Sequence, residues 1–521
     1  MPLVLSRVLA ALLDPGAYPH PAAEVRLIET HVSWVLLAGE FAYKIKRPVH
    51  YPFVDLRELA RRKFCCEEEL RLNRRFAPAL YLQVCRIIAP QGQARIGDGA
   101  PSEPIEYAVR MRRFPGSDEL DHLLEGRQIE PSELEDFGRN LALIHARLPA
   151  ATADAPWGRP PEIAAVVVRN LNEAAHAAAT FDARAEVAAL GERLRESLAA
   201  AEPAMVVRRA DGRVRECHGD LHARNLVRIG RSLVAFDCME FEPAFRWIDV
   251  ADEIAFLLSD LAARERPLHA HAFRGGYLAQ SGDYHACRVL ELYRAHRALV
   301  RAKVAALSAA EAPEPEREAL RAEHRRLMSC ARESLSRKRP RIVLMCGLSG
   351  SGKTWLARPL APRLNAVHLR SDIERKRRAG LAEHERSGAA LASGIYSLDA
   401  SASLYEHLVR CAHDILTGGY TVIVDATFLR RADRARFREL AQRTGSALQL
   451  IHCRAPQAAL QTRVAARQHD ASEADQQVLA WQLGLFEPVT AEEHIDVIPA
   501  DTTDPNVFGR VLRSIEAREL D

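Results

Sequence analysis

The stretch CHGDLHARN, residues 217 to 225, sets a histidine, an aspartate and an asparagine at H-x-D-x-x-x-x-N spacing, between segments that read as strands. Moving a phosphoryl group onto a hydroxyl requires a carboxylate to orient or accept the proton. It also requires oxygen ligands for metal ions close by, because such transfer depends mainly on positioning and charge neutralisation. One loop can carry both. Asp220 is the candidate base, Asn225 a candidate magnesium ligand, and His218 the residue that would brace the loop. Twelve residues past Asn225, after the strand-like SLVAF, Asp237 falls where a second carboxylate ligand is expected.

Working upstream, HVSWVLLAGEFAYKIKRPV (31 to 49) reads as two strands around a Gly-containing turn. Period-two alternation places Lys44 and Lys46 on the same face of the second strand. Either can grip the α- and β-phosphates of ATP. RRKFCCEEELRLNRRF (61 to 76) reads as a helix in which Glu68 or Glu69 can pair with that lysine, and EYAVRMRRF (106 to 114) as a strand running into an adenine hinge at 111–114.

Downstream lies a second phosphate motif. RIVLMCGLSGSGKTWLARPLAPRL (341 to 364) is a buried strand, a Gly-rich loop and a helix, and fits G-x-x-x-x-G-K-[ST] with Gly347, Gly352, Lys353 and Thr354. Loop residues Ser349, Gly350 and Ser351 would wrap phosphate oxygens with backbone N–H groups, helped by the helix amino terminus. Lys353 would reach the β/γ-phosphates and Thr354 would ligate magnesium. AVHLRSDIERKRRAG (366 to 380) brings Asp372 and Arg375 to a strand end, three apart, so that one helical turn would aim both at the phosphates. Asp372 is the candidate base there and Arg375 a clamp. YTVIVDATFLRRADR (420 to 434) ends a buried strand in Asp425, a magnesium-water ligand of Walker B type, and Arg463 and Arg467 are expected to close as a lid.

At 521 residues the chain is too long for one core. Composition shifts between residues 307 and 341, so the expected division is 1–335 and 336–521. Charge is nearly balanced, 72 basic against 69 acidic residues for a net +3, which excludes a dedicated nucleic-acid coat. Ten scattered cysteines with no C-x-x-C pair suit reduced thiols in a cytoplasmic protein. The amino-terminal stretch reads as an amphipathic helix instead of a cleavable signal, and no apolar run is long enough for a membrane span.

Through AYKIK, HGDLHARN, FDCMEF and WIDVADEIAFL, the first ~300 residues resemble the aminoglycoside phosphotransferase and choline kinase branch of the protein-kinase-like fold. The resemblance implies an α+β bilobal domain in which Asp220 is the base, Asn225 and Asp237 hold metal, and Asp249 is structural. Two departures stand out: no G-x-G-x-x-G covers the phosphates, and Asp237 opens D-C-M in place of D-F-G. Through GLSGSGKT, SDIER, VIVDATF and RVAAR, the remainder resembles polynucleotide-kinase-like and zeta-toxin-like P-loop kinases. That implies an α/β P-loop NTPase domain with a mostly parallel sheet. The expectation is a bifunctional ATP- and Mg2+-dependent kinase acting on small-molecule hydroxyl acceptors. Alternatively one half senses nucleotide and regulates the other, or the second half phosphorylates nucleic-acid 5'-hydroxyls. Acceptor identity and oligomeric state are not legible.

Overall fold

The computed structural model describes residues 2–51, 54–97, 102–387, 394–466 and 472–517. Its amino-terminal lobe is a six-stranded antiparallel sheet in the order Val25–Glu29, Ser33–Ala38, Phe41–Lys46, Pro104–Arg112, Tyr81–Ile88, Arg95–Ile96. Strands alternate as period two requires: Tyr43 and Ile45 enter one apolar cluster, while Ala42 enters another, on the side of the helix Leu59–Asn73. The hairpin Ser33–Ala38/Phe41–Lys46 turns at Gly39, whose φ of +56° and whose 2.6 Å approach to the Pro21 carbonyl (measured from an added Cβ) admit no side chain.

Below this sheet lies a helical layer. The helix Val250–Ala263 is buried nearly all round, and the helix Cys287–Glu311 runs beside it. Arg208 ties the layer together, pairing with both oxygens of Asp249 at 2.7 Å and with Asp283 at 2.9 and 3.0 Å, all three side chains being buried. The segment read as a compositional break forms the helix Glu316–Ser334, packed on Cys287–Glu311 through His324, Leu327, Met328 and Ala331. It belongs to the helical layer.

The carboxy-terminal sheet has five parallel strands in the order Val367–Arg370, Val422–Asp425, Arg341–Cys346, Ala447–Arg454, Asp496–Asp501. A parallel sheet covered on both faces needs continuous apolar runs. In Arg341–Cys346 the alternation is clean. Val343 and Met345 pack with Leu356, Leu360 and Val511 on one face. Ile342, Leu344 and Cys346 join Leu404, Leu408 and Phe437 on the other. That second cluster continues without a break into the helical layer of the first half, through Cys287, Leu290 and Tyr420. Polar contacts line the seam: Arg274 donates to Asn365 at 3.0 Å and stacks on the Tyr420 ring, and Lys338 pairs with Glu291 at 2.8 Å.

Removing one partner from a buried ion network leaves uncompensated charge, at a cost of about 3–5 kcal/mol. Arg208→Ala should therefore destabilise the full chain by that order, read as a lower urea midpoint; an unchanged midpoint would show that Asp249 and Asp283 find other compensation.

Candidate active sites

The loop His218–Asn225 hangs beneath the sheet of the amino-terminal lobe, held by acids from the buried helix behind it. Glu253 accepts the backbone N–H of His218 at 2.7 Å and of Gly219 at 3.0 Å, and Asp260 accepts that of Ala223 at 2.8 Å. Gly219 has φ +88°, and a Cβ there would lie 2.8 Å from the Phe245 carbonyl oxygen, so the turn admits only glycine. His218 is fully buried; burial lowers its pKa to about 4 and keeps it neutral. Its Nε2 donates to the Phe236 carbonyl at 2.8 Å, and its Nδ1 accepts the Asp220 N–H at 3.4 Å. This histidine spans the loop, linking its start to the strand that precedes Asp237.

Asp220 is held ionised. Burial works against its charge, but His222, with Nε2 3.4 Å from Oδ2, and then His218 bring its pKa down to about 2. Asn225 donates Nδ2 to both the Asp220 carbonyl and its Oδ2, each at 2.9 Å, which leaves Oδ1 as the oxygen available to a cation. Asp237 has φ +66°, accepts an ion pair from Lys44, and keeps its side chain 43% exposed toward the cleft. Burial raises its proton affinity while Lys44 lowers it, and the pKa ends below the usual carboxylate value. Asn225 and Asp237 together offer hard oxygen donors of the kind magnesium takes.

Of the two lysines left open by the sequence, both are engaged, in different ways. Lys44 bonds Glu69 at 2.8 Å and also Asp237 at the cleft. Lys46 is 1% exposed and pairs with Glu69 and Glu240, each at 2.5 Å. Desolvation opposes the charge on Lys44, but Asp237 and Glu69 outweigh it and hold the pKa well above the ordinary value. Glu68 takes neither lysine: it pairs with Arg71 at 2.7 Å and reaches Arg246 at 3.5 Å, because neighbouring helical residues point about 100° apart and only Glu69 faces the sheet.

A cavity of about 1980 Å³ is bordered by Lys44, Met111, Phe114, Asp220, Asn225 and Asp237. It extends past Asp220 to Trp157, Asn170, Glu173, Phe256 and Tyr293. Along that extension the hydroxyl of Tyr293 and the Nδ1 of His222 are buried without hydrogen-bond partners.

In the carboxy-terminal half, Gly347, Gly350 and Gly352 take φ of +144°, +83° and +84°, wrapping the loop ahead of the helix Lys353–Arg363. Lys353 Nζ donates to the carbonyls of Gly347 and Leu348, both at 2.9 Å. Thr354 Oγ1 donates to Asp425 Oδ2 at 2.7 Å, and His368 Nε2 reaches the same oxygen at 3.1 Å. Burial raises the proton affinity of Asp425, but the His368 hydrogen bond brings its pKa to about 2. Thr354 and Asp425 also form an oxygen donor set that suits magnesium. Ser349 and Ser351 are buried, and the Ser349 N–H donates to Gln482 Oε1 at 2.8 Å.

Asp372 lies half-buried on the helix Ser371–Arg378. Arg375, on the same helix, is engaged with the segment that follows it. It donates to the Ile395 carbonyl at 2.7 Å and to Ser401 at 3.4 Å, since its long side chain is captured by the neighbouring segment. Arg463 donates to Gly350 O at 3.3 Å and to Thr502 Oγ1 and O at 2.8 and 3.1 Å, which places it on the flank of the phosphate loop. Arg467 lies outside the described residues.

The positions that spacing does not single out are Glu253, Glu240, His368, Gln482 and Thr502. Glu253 alone leaves a trace, as one of two adjacent acids in the otherwise apolar run VADEIAFLL.

A nucleotide-phosphate loop on a parallel sheet, preceded by a bilobal cleft with a lysine, an ionised aspartate and metal-type oxygens, defines a pair of kinase-like folds. Residues 58–290 match the model of the Phosphotransferase enzyme family, and residues 342–489 that of an AAA domain. The chain thus carries a kinase-like fold followed by a P-loop domain. Uncharacterized proteins of Mycobacterium bovis and Mycobacterium tuberculosis are each 29% identical to it over 465 residues, 88% of this chain and 90% of theirs. Among solved structures, a choline/ethanolamine kinase family protein from Mesorhizobium loti is 12% identical, covering 64% of this chain and 100% of its own, with a TM-score of 0.35. A sugar kinase from Janibacter is 20% identical over 34% of this chain and 95% of its own, with a TM-score of 0.28.

Glu253 supplies a pH test. Burial raises its pKa from 4.5 to about 7. The fold therefore favours its protonated form: the stabilisation is complete below pH 4.5 and is lost as pH rises through 7. Wild-type stability should fall relative to Glu253→Gln across that window, measured by urea unfolding at stepped pH; a constant difference would show that Glu253 does not titrate there.

Proposed function

We propose that this protein is an ATP-dependent phosphotransferase with two nucleotide-binding sites, each passing the γ-phosphate of ATP to a hydroxyl. The observation that carries the reading is the convergence of Lys44, Asp220, Asn225 and Asp237 on one cavity, with the lysine ion-paired to a helix glutamate. In this reading Lys44 contacts the α- and β-phosphates, with Lys46 buried behind it as the charge that holds Glu69 in place. Asp220 orients the acceptor hydroxyl and takes its proton; a carboxyl held at about 2 is fully ionised at neutral pH but weakly basic, so positioning outweighs proton abstraction. Magnesium, held by Asn225 and Asp237, would neutralise charge on the phosphates. In the second site Lys353 would turn from its carbonyl partners to the phosphates, Thr354 and Asp425 would hold magnesium, and Asp372 would face the acceptor.

The unpartnered Tyr293 hydroxyl and His222 ring nitrogen support a small polar acceptor in the first site. Ten free cysteines and the lack of any long apolar helix among the described residues support a cytoplasmic location.

The test is transfer from γ-labelled ATP to a panel of aminoglycosides, small alcohols and 5'-hydroxyl oligonucleotides. Asp220→Asn should reduce labelling of one acceptor class by about 10²–10⁴-fold, and Lys353→Ala should abolish labelling of another. Labelling of an acceptor class that survives Asp220→Asn and Lys353→Ala together would refute the assignment of the site that acts on it.

A further inference from the structure

Away from both clefts, three side chains of different chemistry meet at the seam between the halves. Glu374 comes from the helix Ser371–Arg378, His407 and Cys411 from the helix Leu398–Thr417. Their donor atoms all lie within 4.8 Å of one another. His407 Nε2 is the common vertex, 2.9 Å from Glu374 Oε2 and 3.4 Å from Cys411 Sγ. Nothing in the two phosphotransfer sites uses these groups.

We propose that Glu374, His407 and Cys411 bind a transition-metal dication of the zinc class. A carboxylate oxygen, an imidazole and a thiolate are the donor types such an ion takes, with bonds of about 2.0–2.3 Å. A tetrahedral ion with those bonds spaces its ligand atoms about 3.3–3.7 Å apart. The Glu374–His407 pair would open by a few tenths of an ångström, while Cys411 Sγ, 3.4 Å from Nε2 and 4.0 Å from Nδ1, lies beside the ring and would swing by about 1 Å to stand ahead of Nε2.

The surroundings are those of an oriented ligand set. Glu374 is fully buried, and its Oε1 accepts the Tyr284 hydroxyl at 3.0 Å and Arg377 Nη2 at 3.1 Å, which turns Oε2 toward His407. Such outer contacts fix a ligand and tune its affinity. Arg377 Nε stands 3.3 Å from each Glu374 oxygen, and its terminal nitrogens also reach the carbonyls of Gln280 and Ala279. Arg377 therefore belongs to the outer ring of contacts. A cavity of about 240 Å³ borders His407, Cys411 and Tyr284, and His285 and Asp414 also line it. It gives the ion an entry path and leaves the fourth position to water.

The position has a consequence. Glu374 sits two residues beyond Asp372 on the same short helix. Tyr284, Ala279 and Gln280 belong to the phosphotransferase-family half. A bound ion would thus stiffen the helix that carries Asp372 against the neighbouring domain.

Cobalt(II) is the probe, because thiolate ligation gives it a charge-transfer band that oxygen ligands in the magnesium sites cannot produce. The full chain, stripped with EDTA and titrated with cobalt(II), should show that band at one cobalt per chain. Cys411→Ser should abolish it while the metal-free protein still unfolds cooperatively, and Tyr284→Phe should weaken binding about 10- to 100-fold. No thiolate band in the intact chain, or a band that persists in Cys411→Ser, would overturn the assignment. Neither readout depends on phosphotransfer, so this inference and the proposed function stand or fall separately.

Discussion

One buried carboxylate carries the amino-terminal cleft. Glu69, on the helix behind the sheet, faces two lysines of one strand, and each lysine passes the connection on to a different acid of the lower lobe, Asp237 or Glu240. Taking such charges out of water is expensive, and the cost is offset only when every member has its partner. The arrangement therefore fixes sheet, helix and metal-type loop relative to one another, and with them the width of the cavity. The same logic recurs below. Glu253 and Asp260 reach up from a helix buried nearly all round and hold the backbone of the Asp220 loop, while Arg208 anchors Asp249 at the start of that helix.

What the sequence discloses and what it hides divide along physical lines. Motifs whose function needs fixed spacing within one segment are legible, because the chemistry constrains the chain locally: His218, Asp220 and Asn225 on one loop, and the glycines, Lys353 and Thr354 on another. Strand alternation and apolar runs disclosed the strands next to these motifs for the same reason. Partner choice across segments is not local. Nothing in EEE tells that Glu69 and not Glu68 meets the lysines, since that depends on how the helix is rotated against the sheet. Long arginines are still less predictable: Arg375 and Arg463 can each reach several carbonyls, and tertiary surroundings decide which. The contacts of Glu240 with Lys46 and of Gln482 with the phosphate loop cross about 190 and 130 residues, and leave no periodic trace.

The seam between the halves is a second case. Composition marks a change near residue 335, where the sequence reads as a Pro-containing acidic stretch leading into a charged helical segment. The structure turns that stretch into a helix packed on its neighbour, with a single apolar cluster running from the helical layer into one face of the parallel sheet. Charge patterning on the exposed side of Glu316–Ser334 produced the shift, while Leu327, Met328 and Ala331 on the other side do the packing.

Gly418 shows how closely the two halves approach. A methyl group there would lie 2.2 Å from the Cys287 carbonyl oxygen, so backbone rests on backbone across the boundary. Two units this intimately fitted are poor candidates for separation by gene truncation. A fragment ending near residue 335 would bare Leu290 and its neighbours, and the complementary fragment would bare Leu408 and Tyr420. Each half would carry a patch of newly wetted hydrocarbon prone to self-association, so recombinant work on either half alone calls for a surface-repaired boundary.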